Sequence, residues 1–154
     1  MRIAVLAGDY LLLKLAHILI AVIALGTGAA LAILLELYGN HPEHGAFVLR
    51  AVRRLVYLIV IPGYVLMLGT GMWLGGAASL LDEYWTEAAM NLWGVGALLL
   101  AASVVLLHKR IRLLNAGPAS RAYRQASLLG RLSGGGAALV IVTIIYFMVM
   151  KPSR

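Results

Sequence analysis

The sequence is 154 residues long, 62% of them hydrophobic and 12% charged, with a mean hydropathy of +0.93. This composition, with its long apolar runs, is typical of an integral membrane protein and excludes a soluble globular domain. The net charge of +7 comes from basic residues beside the apolar runs, which indicates anionic lipid head groups and no nucleic acid, and the absence of cysteine excludes disulfides and thiolate metal sites.

The first apolar run extends from Tyr10 to Leu37, and its 28 residues exceed the roughly 20 that a membrane-spanning helix needs. It contains His17. An ionisable side chain is costly inside a membrane, so His17 is a candidate functional residue. Ala21, Ala24 and Gly28 follow at helical spacing and would let another helix or a flat ligand approach closely. The alternative is that His17 only forms a hydrogen bond to a neighbouring helix.

Three further spans are predicted, at about 47–75, 86–108 and 132–150. Pro62 and Gly63 lie in the middle of the second span and predict a kink. Gly117-Pro118 predicts a break in the third connection, with a short interfacial helix on either side. Residues 1–154 are therefore expected to form a single domain, an all-α membrane protein with an antiparallel four-transmembrane-helix bundle.

The basic residues predict the orientation of the bundle. Nine of the thirteen flank the first and third connections, so both termini should lie on the outer side. The expected location is the inner (cytoplasmic) membrane, as a multi-pass protein whose first partner is the lipid bilayer. A homo-oligomer or a partner membrane subunit would pack against the glycine-rich helix faces.

Helical rise predicts which polar side chains lie near His17. Met67 should be almost level with His17, and Thr70, Asn91 and Tyr146 should lie within a turn or two of that depth. Lys14 lies one turn above His17 on the same helix face and would reach the interface to hold a carboxylate. This set suits heme b with its propionates pointing outward, although Met67 is also a common packing residue in apolar cores.

The other histidines predict no cofactor site. His108 should lie about 20 Å deeper than His17, so the two cannot share one metal or heme iron. His41 and His44 have a spacing that can bind a divalent metal, but Pro42 lies between them and favours a solvated loop. His108 could approach both of them at the inner face, where it is interpreted as an interfacial anchor.

Two other functions remain open. The first is copper handling, in which Met67, Met72, Met90 and His17 would serve as soft ligands. The second is a non-catalytic transmembrane subunit or scaffold. The sequence contains no phosphate loop, nucleophile elbow or dinucleotide fingerprint, and no pair of carboxylates within the membrane.

Two sets of short motifs carry a family resemblance. The first is the segment from Lys14 to His17 with its small-residue stretch and the later His41. The second is Arg53-Arg54-Leu55, then Pro62, then the segment from Gly71 to Leu74. They resemble the first two helices of HemJ-type protoporphyrinogen IX oxidases. The wider group includes CopD-like copper-resistance membrane domains and four-helix families of unknown function, and the chain is most similar to one of these last families.

The resemblance implies a four-helix bundle that binds heme b through His17 and acts in electron transfer or tetrapyrrole redox handling. HemJ-type enzymes have a lysine early in the third helix, where this chain has Asn91. This departure leaves open whether the protein is an enzyme, while tetrapyrrole binding stays an expectation.

Overall fold

A computed structural model describes residues 2–116 and 119–152, which form five α-helices and contain no strand. The helices are α1 (Arg2–Tyr38), α2 (Gly45–Leu55), α3 (Ile61–Ala77), α4 (Tyr84–Arg112) and α5 (Arg121–Met150). Four helical stretches are long and apolar enough to cross a membrane: Gly8–Tyr38, Gly45–Ala77, Tyr84–Arg112 and Arg121–Met150. The predicted all-α membrane bundle is confirmed, and its orientation remains a prediction.

Helices α2 and α3 form one continuous span, interrupted by a π-helical segment at Val56–Val60. Pro62 follows this segment closely and has no N–H to donate to the turn before it. Single π turns are a known way to absorb such a break inside a helix. The irregularity predicted at Pro62 and Gly63 is therefore present as a π segment that begins before the proline.

The last helix, α5, begins at Arg121, before the membrane span predicted at about 132–150. Ser120 caps it, because its side-chain oxygen accepts a hydrogen bond from the Tyr123 N–H at 3.3 Å. Where short interfacial helices were predicted, α4 continues to Arg112, a 3₁₀ helix follows at Leu114–Ala116, and α5 begins at Arg121. Gly117-Pro118, the predicted break, lies outside the described residues.

The four spans pack as two antiparallel pairs, α1 with α2–α3 and α4 with α5. The pairs meet through α2 and α4 at what we call the basic end, formed by the connections 39–44 and 113–120. The buried hydrophobic core also lies there, and it consists of Leu31, Val48, Leu49, Val52, Leu107 and Tyr123. We call the opposite end, at the connection 78–83, the tryptophan end.

Small residues allow close approach in the middle of the bundle. A Cβ at Gly63 would lie 2.5 Å from the Cβ of Ala24, so only glycine lets α3 approach α1 this closely. Tyr64 then links the two helix pairs. Its hydroxyl donates to the Trp93 carbonyl at 2.8 Å, and its ring stacks on the Trp93 indole with 4.8 Å between centroids. This contact therefore joins the two helix pairs between the buried core at the basic end and the tryptophan end.

Candidate functional site

A cavity of about 620 Å³ lies between the two helix pairs near the tryptophan end. Residues of α1, α3, α4 and α5 line it, and nearly all of them are apolar. Three of the described lining residues have side chains that can form hydrogen bonds: His17, Thr86 and Trp93. An apolar cavity with a few polar groups has the properties of a site for a largely apolar ligand.

Thr70 holds the imidazole of His17 at the wall of this cavity. The Nδ1 atom of His17 lies 2.7 Å from the Thr70 hydroxyl oxygen. Gly71 lies against the same edge of the ring, where a Cβ would be 3.3 Å from the Cε1 atom and 4.0 Å from the Nδ1 atom of His17. Helix α3 thus positions the ring through the hydroxyl of Thr70 and through the absence of a side chain at the next residue, Gly71.

The hydrogen bonds of Thr70 determine which nitrogen of His17 carries the proton. The Thr70 hydroxyl also contacts the Leu66 carbonyl at 2.7 Å, and a carbonyl can only accept. Because a hydroxyl has one proton, Thr70 donates it to Leu66 and accepts from His17 Nδ1–H. In a neutral ring this leaves a lone pair on Nε2, which has no hydrogen-bond partner among the described residues.

Two more polar atoms of the cavity wall lack partners. The Thr86 hydroxyl and the Trp93 indole N–H are buried, and neither forms a hydrogen bond within the described ranges. Thr86 is only 7% exposed. Unsatisfied buried polar groups cost free energy, so both atoms are available to form hydrogen bonds with a polar group of a bound molecule. The sequence reasoning missed both residues, and no local sequence signal marks them.

The structure brings together some of the predicted site residues and separates others. Met67 lines the cavity with His17, and Thr70 contacts the imidazole directly. Lys14, Asn91 and Tyr146 are exposed and are not part of the cavity wall. Among the small residues below His17, Ala21 lines the cavity and Ala24 packs on Gly63, while a Cβ at Gly28 would meet no atom within 4 Å.

Residues 11–152 match the model of a protein family described as a predicted integral membrane protein (DUF2269). The chain belongs to the DUF2269 family. No curated protein and no solved structure matches it. The match shows a multi-span integral membrane protein, which therefore works in a lipid bilayer. The closer resemblance to HemJ-type and CopD-like proteins stays a prediction.

The remaining histidines of this DUF2269 protein lie at the basic end. His41 and His44 stack with 4.7 Å between their ring centroids. His108 donates from Nδ1 to the Val104 carbonyl at 2.8 Å, and its ring meets the edge of Tyr57. No group of three His, Cys, Asp or Glu side chains able to hold a metal occurs in the described part of the chain.

The contacts of the two intramembrane histidines agree with the predicted difference in depth. His108 contacts Tyr57 and His17 contacts Thr70, and these partners are thirteen positions apart on the second span. Thirteen residues of helix rise about 20 Å. The two imidazoles therefore lie at different levels of the bundle.

Proposed function

We propose that the protein binds heme b in the cavity at the tryptophan end and acts in electron transfer or tetrapyrrole redox handling. One observation carries this proposal. The Nδ1–H of His17 is held by Thr70, while Nε2 has no hydrogen-bond partner among the described residues, and His17 lines a large apolar cavity. A hydrogen bond from the second ring nitrogen is the usual way in which proteins orient a histidine that ligates a metal.

The chemistry of the cavity fits a tetrapyrrole. Its volume of about 620 Å³ lies within the range of pockets that hold cofactors and other small molecules. Its apolar wall matches the porphyrin face and would exclude water from the iron. The unpartnered donors of Thr86 and Trp93 can bind the polar groups of such a ligand. The resemblance of the first two helices to HemJ-type proteins supports the same cofactor.

Each residue then has a defined task. His17 would hold the heme iron through its ring nitrogen Nε2, and Thr70 fixes the orientation and tautomer of the ring. Met67 lines the same cavity and would be the candidate for a second ligand to the iron. Lys14 is exposed one turn above His17, where its ammonium group can pair with a propionate near water. When bound, the heme would supply a one-electron redox centre.

An absorption spectrum of the protein purified in mild detergent tests the proposal. The wild type should show a Soret band, and His17→Ala should abolish it. His108→Ala is the matched control, because it removes an intramembrane imidazole that does not line the cavity. A wild type without heme from a heme-replete host contradicts the proposal, as does a His17→Ala variant with full heme occupancy.

Thr70→Val sharpens this test, because valine is nearly isosteric but cannot accept the Nδ1–H of His17. We expect heme to remain with a weaker affinity, by about 10- to 100-fold. The reduction potential should shift as well. If Thr70→Val behaves like the wild type in both measurements, the hydrogen bond has no role in orienting a ligand.

One observation favours a second candidate function, copper handling. Met67, Met72, Met90 and His17 all line the same cavity, and Met148 does so as well. Thioether and imidazole groups are suitable ligands for Cu(I). Elemental analysis separates the candidates, since copper without a Soret band supports this function. Neither heme nor copper would leave the non-catalytic subunit as the remaining hypothesis.

A further inference from the structure

A second cavity, of about 260 Å³, lies at the basic end, well away from His17. It opens between the connection 39–44, the first turns of α2, residues 114–115 and α5. In contrast to the larger cavity, its wall is rich in polar side chains, namely His41, Arg50, Asn115 and Tyr123. None of these residues takes part in the proposed heme site.

A buried cation lies directly behind this wall. Arg110 is only 5% exposed, and its Nη2 atom donates to the Gly39 carbonyl and to the Asn40 side chain, both at 3.1 Å. Its guanidinium also lies 5.3 Å from the centroid of the Tyr123 ring. Gly39 and Tyr123 are both wall residues of the cavity. The guanidinium of Arg110 is therefore in direct contact with two residues of the cavity wall.

The charge of Arg110 is not neutralised. Arg110 forms no ion pair with a carboxylate in the described part of the chain, and its buried Nε–H has no hydrogen-bond partner there. Burying an uncompensated charge is costly, so a protein normally provides a counter-ion. The neutral oxygens of Gly39 and Asn40 satisfy hydrogen bonds without supplying negative charge. An anion in the adjacent cavity would supply it.

The groups of the cavity wall donate hydrogen bonds. The Nδ1 atom of His41 accepts from the Glu43 N–H at 3.3 Å, so the proton of the neutral ring is on Nε2 and available to a ligand. Arg50 uses its Nε–H for the Ala46 carbonyl at 3.1 Å, which leaves its terminal amino groups free to bind. The amide of Asn115 adds a further donor.

The charges of the whole basic end favour an anion. Nine arginine and lysine residues flank its two connections, against two acidic residues, Glu36 and Glu43. Glu36 is already paired with Arg131 at 2.6 Å. Because the cavity lies where membrane-spanning helices join their connections, it is at the level of the lipid head groups. Phosphate is the anionic group found at that level.

We propose that this second cavity is a binding site for a phosphate group, carried by an anionic phospholipid or by free phosphate. Arg50 forms the direct charge-assisted hydrogen bonds, His41 and Asn115 add neutral donors, and buried Arg110 supplies a fixed positive charge behind them. The site does not depend on the proposed heme function, since it shares no residue with the larger cavity.

Thermal unfolding of the protein in neutral detergent micelles tests the site. The three additives are phosphatidylglycerol, phosphatidylcholine at the same mole fraction, and inorganic phosphate. Arg50→Gln removes the direct partner, and Arg54→Gln is the matched control, because it removes the same charge one turn along the chain at a residue outside the cavity wall. Asn115→Ala is a second variant in a connection, in case Arg50→Gln lowers the yield of folded protein.

We expect phosphatidylglycerol to raise the unfolding temperature of the wild type and of Arg54→Gln, and phosphatidylcholine to leave both unchanged. Arg50→Gln should weaken the apparent affinity by about tenfold or more, since it removes a hydrogen bond to a charged group. A rise with phosphatidylglycerol alone identifies a lipid headgroup, and an equal rise with inorganic phosphate identifies the free ion. Equal effects of the two lipids without any effect of phosphate overturn the proposal, as does an Arg54→Gln variant that loses as much affinity as Arg50→Gln.

Discussion

The two ends of the bundle differ in how their helices meet. At the basic end, Leu49 and Val52 of α2 are almost completely buried, and Tyr123 donates to the Gly39 carbonyl at 2.8 Å. At the tryptophan end the same helix pairs enclose a cavity of about 620 Å³. Several wall residues there, including Val22 and Val149, are more than half exposed to the surroundings.

The two ends therefore differ in how tightly they are packed and in the kind of group that each could bind. Interlocked side chains hold the basic end, where Arg110 and Tyr123 also donate hydrogen bonds to the connection 39–44, and its cavity of about 260 Å³ is smaller than that of the tryptophan end. At the tryptophan end, the buried Thr86 hydroxyl and Trp93 indole N–H have no hydrogen-bond partner among the described residues, so a bound ligand would satisfy them. In this bundle, the basic end supplies the rigid frame and a smaller polar cavity, and the tryptophan end supplies the larger apolar cavity.

The largest expected effect concerns which side of the membrane each end faces. Ala119→Cys and Asp82→Cys place single thiols at exposed positions of the basic and tryptophan ends, in a chain without native cysteine. By the positive-inside rule, a membrane-impermeant reagent should label position 82 in intact cells and position 119 only after lysis. The reverse pattern would place the basic end outside and contradict the predicted orientation.

The next effect is on the packed core. Leu49→Ala should lower the free energy of unfolding by about 2–4 kcal/mol, because Leu49 is fully buried and its truncation leaves a cavity. Leu98→Ala is the control, since Leu98 is 73% exposed and faces the surroundings of the bundle. Denaturant unfolding in detergent measures both. Equal losses for the two variants would show that the basic end is not the rigid frame.

Glycine at position 63 should matter for the contact between α1 and α3. Gly63→Val introduces a Cβ 2.5 Å from that of Ala24 and should cost about 1–3 kcal/mol by overpacking. Gly69→Val on the same helix is the control, because a Cβ there meets no atom within 4 Å. The same denaturant titration compares them. A Gly63→Val variant as stable as Gly69→Val would mean that α1 and α3 do not approach as described.

The smallest effect is expected from the ion pair that joins α1 to α5 at the basic end. Glu36 and Arg131 approach to 2.6 Å, but their side chains are 51% and 58% exposed. Exposed pairs contribute little, so Glu36→Gln should change the free energy of unfolding by less than about 1 kcal/mol. A larger loss, restored by the double variant with Arg131→Gln, would show that this pair is part of the frame.

Several features of the fold followed from local sequence properties. The length of each apolar run predicted four spans, and the short connections predicted the antiparallel order. Pro62 and Gly63 predicted a kink in the second span, and the structure has a π-helical segment just before them, at Val56–Val60. Helix α5 begins at Arg121, before the membrane span predicted at about 132–150, because charged residues mark where the hydrocarbon begins and not where a helix must start.

For the candidate site, the sequence identified His17, because an imidazole inside an apolar span is unusual wherever the helix faces. It also placed Met67 and Thr70 at the right level, since helical rise alone sets depth. It could not show that Thr70 would contact the imidazole while Lys14 stays exposed. The depth of a residue depends only on its position along its own helix. Contact between two side chains depends on how both helices are rotated about their axes.

Only the tertiary structure shows which helix faces pack against one another. Helix rotation and the crossing of distant segments bring Thr86 and Trp93 to the cavity wall and bring Arg110 to the Gly39 carbonyl. In a soluble protein, hydrophobic periodicity marks the inward face of each helix. In a membrane, lipid is as apolar as the protein interior, so that pattern carries little information and packing geometry decides instead.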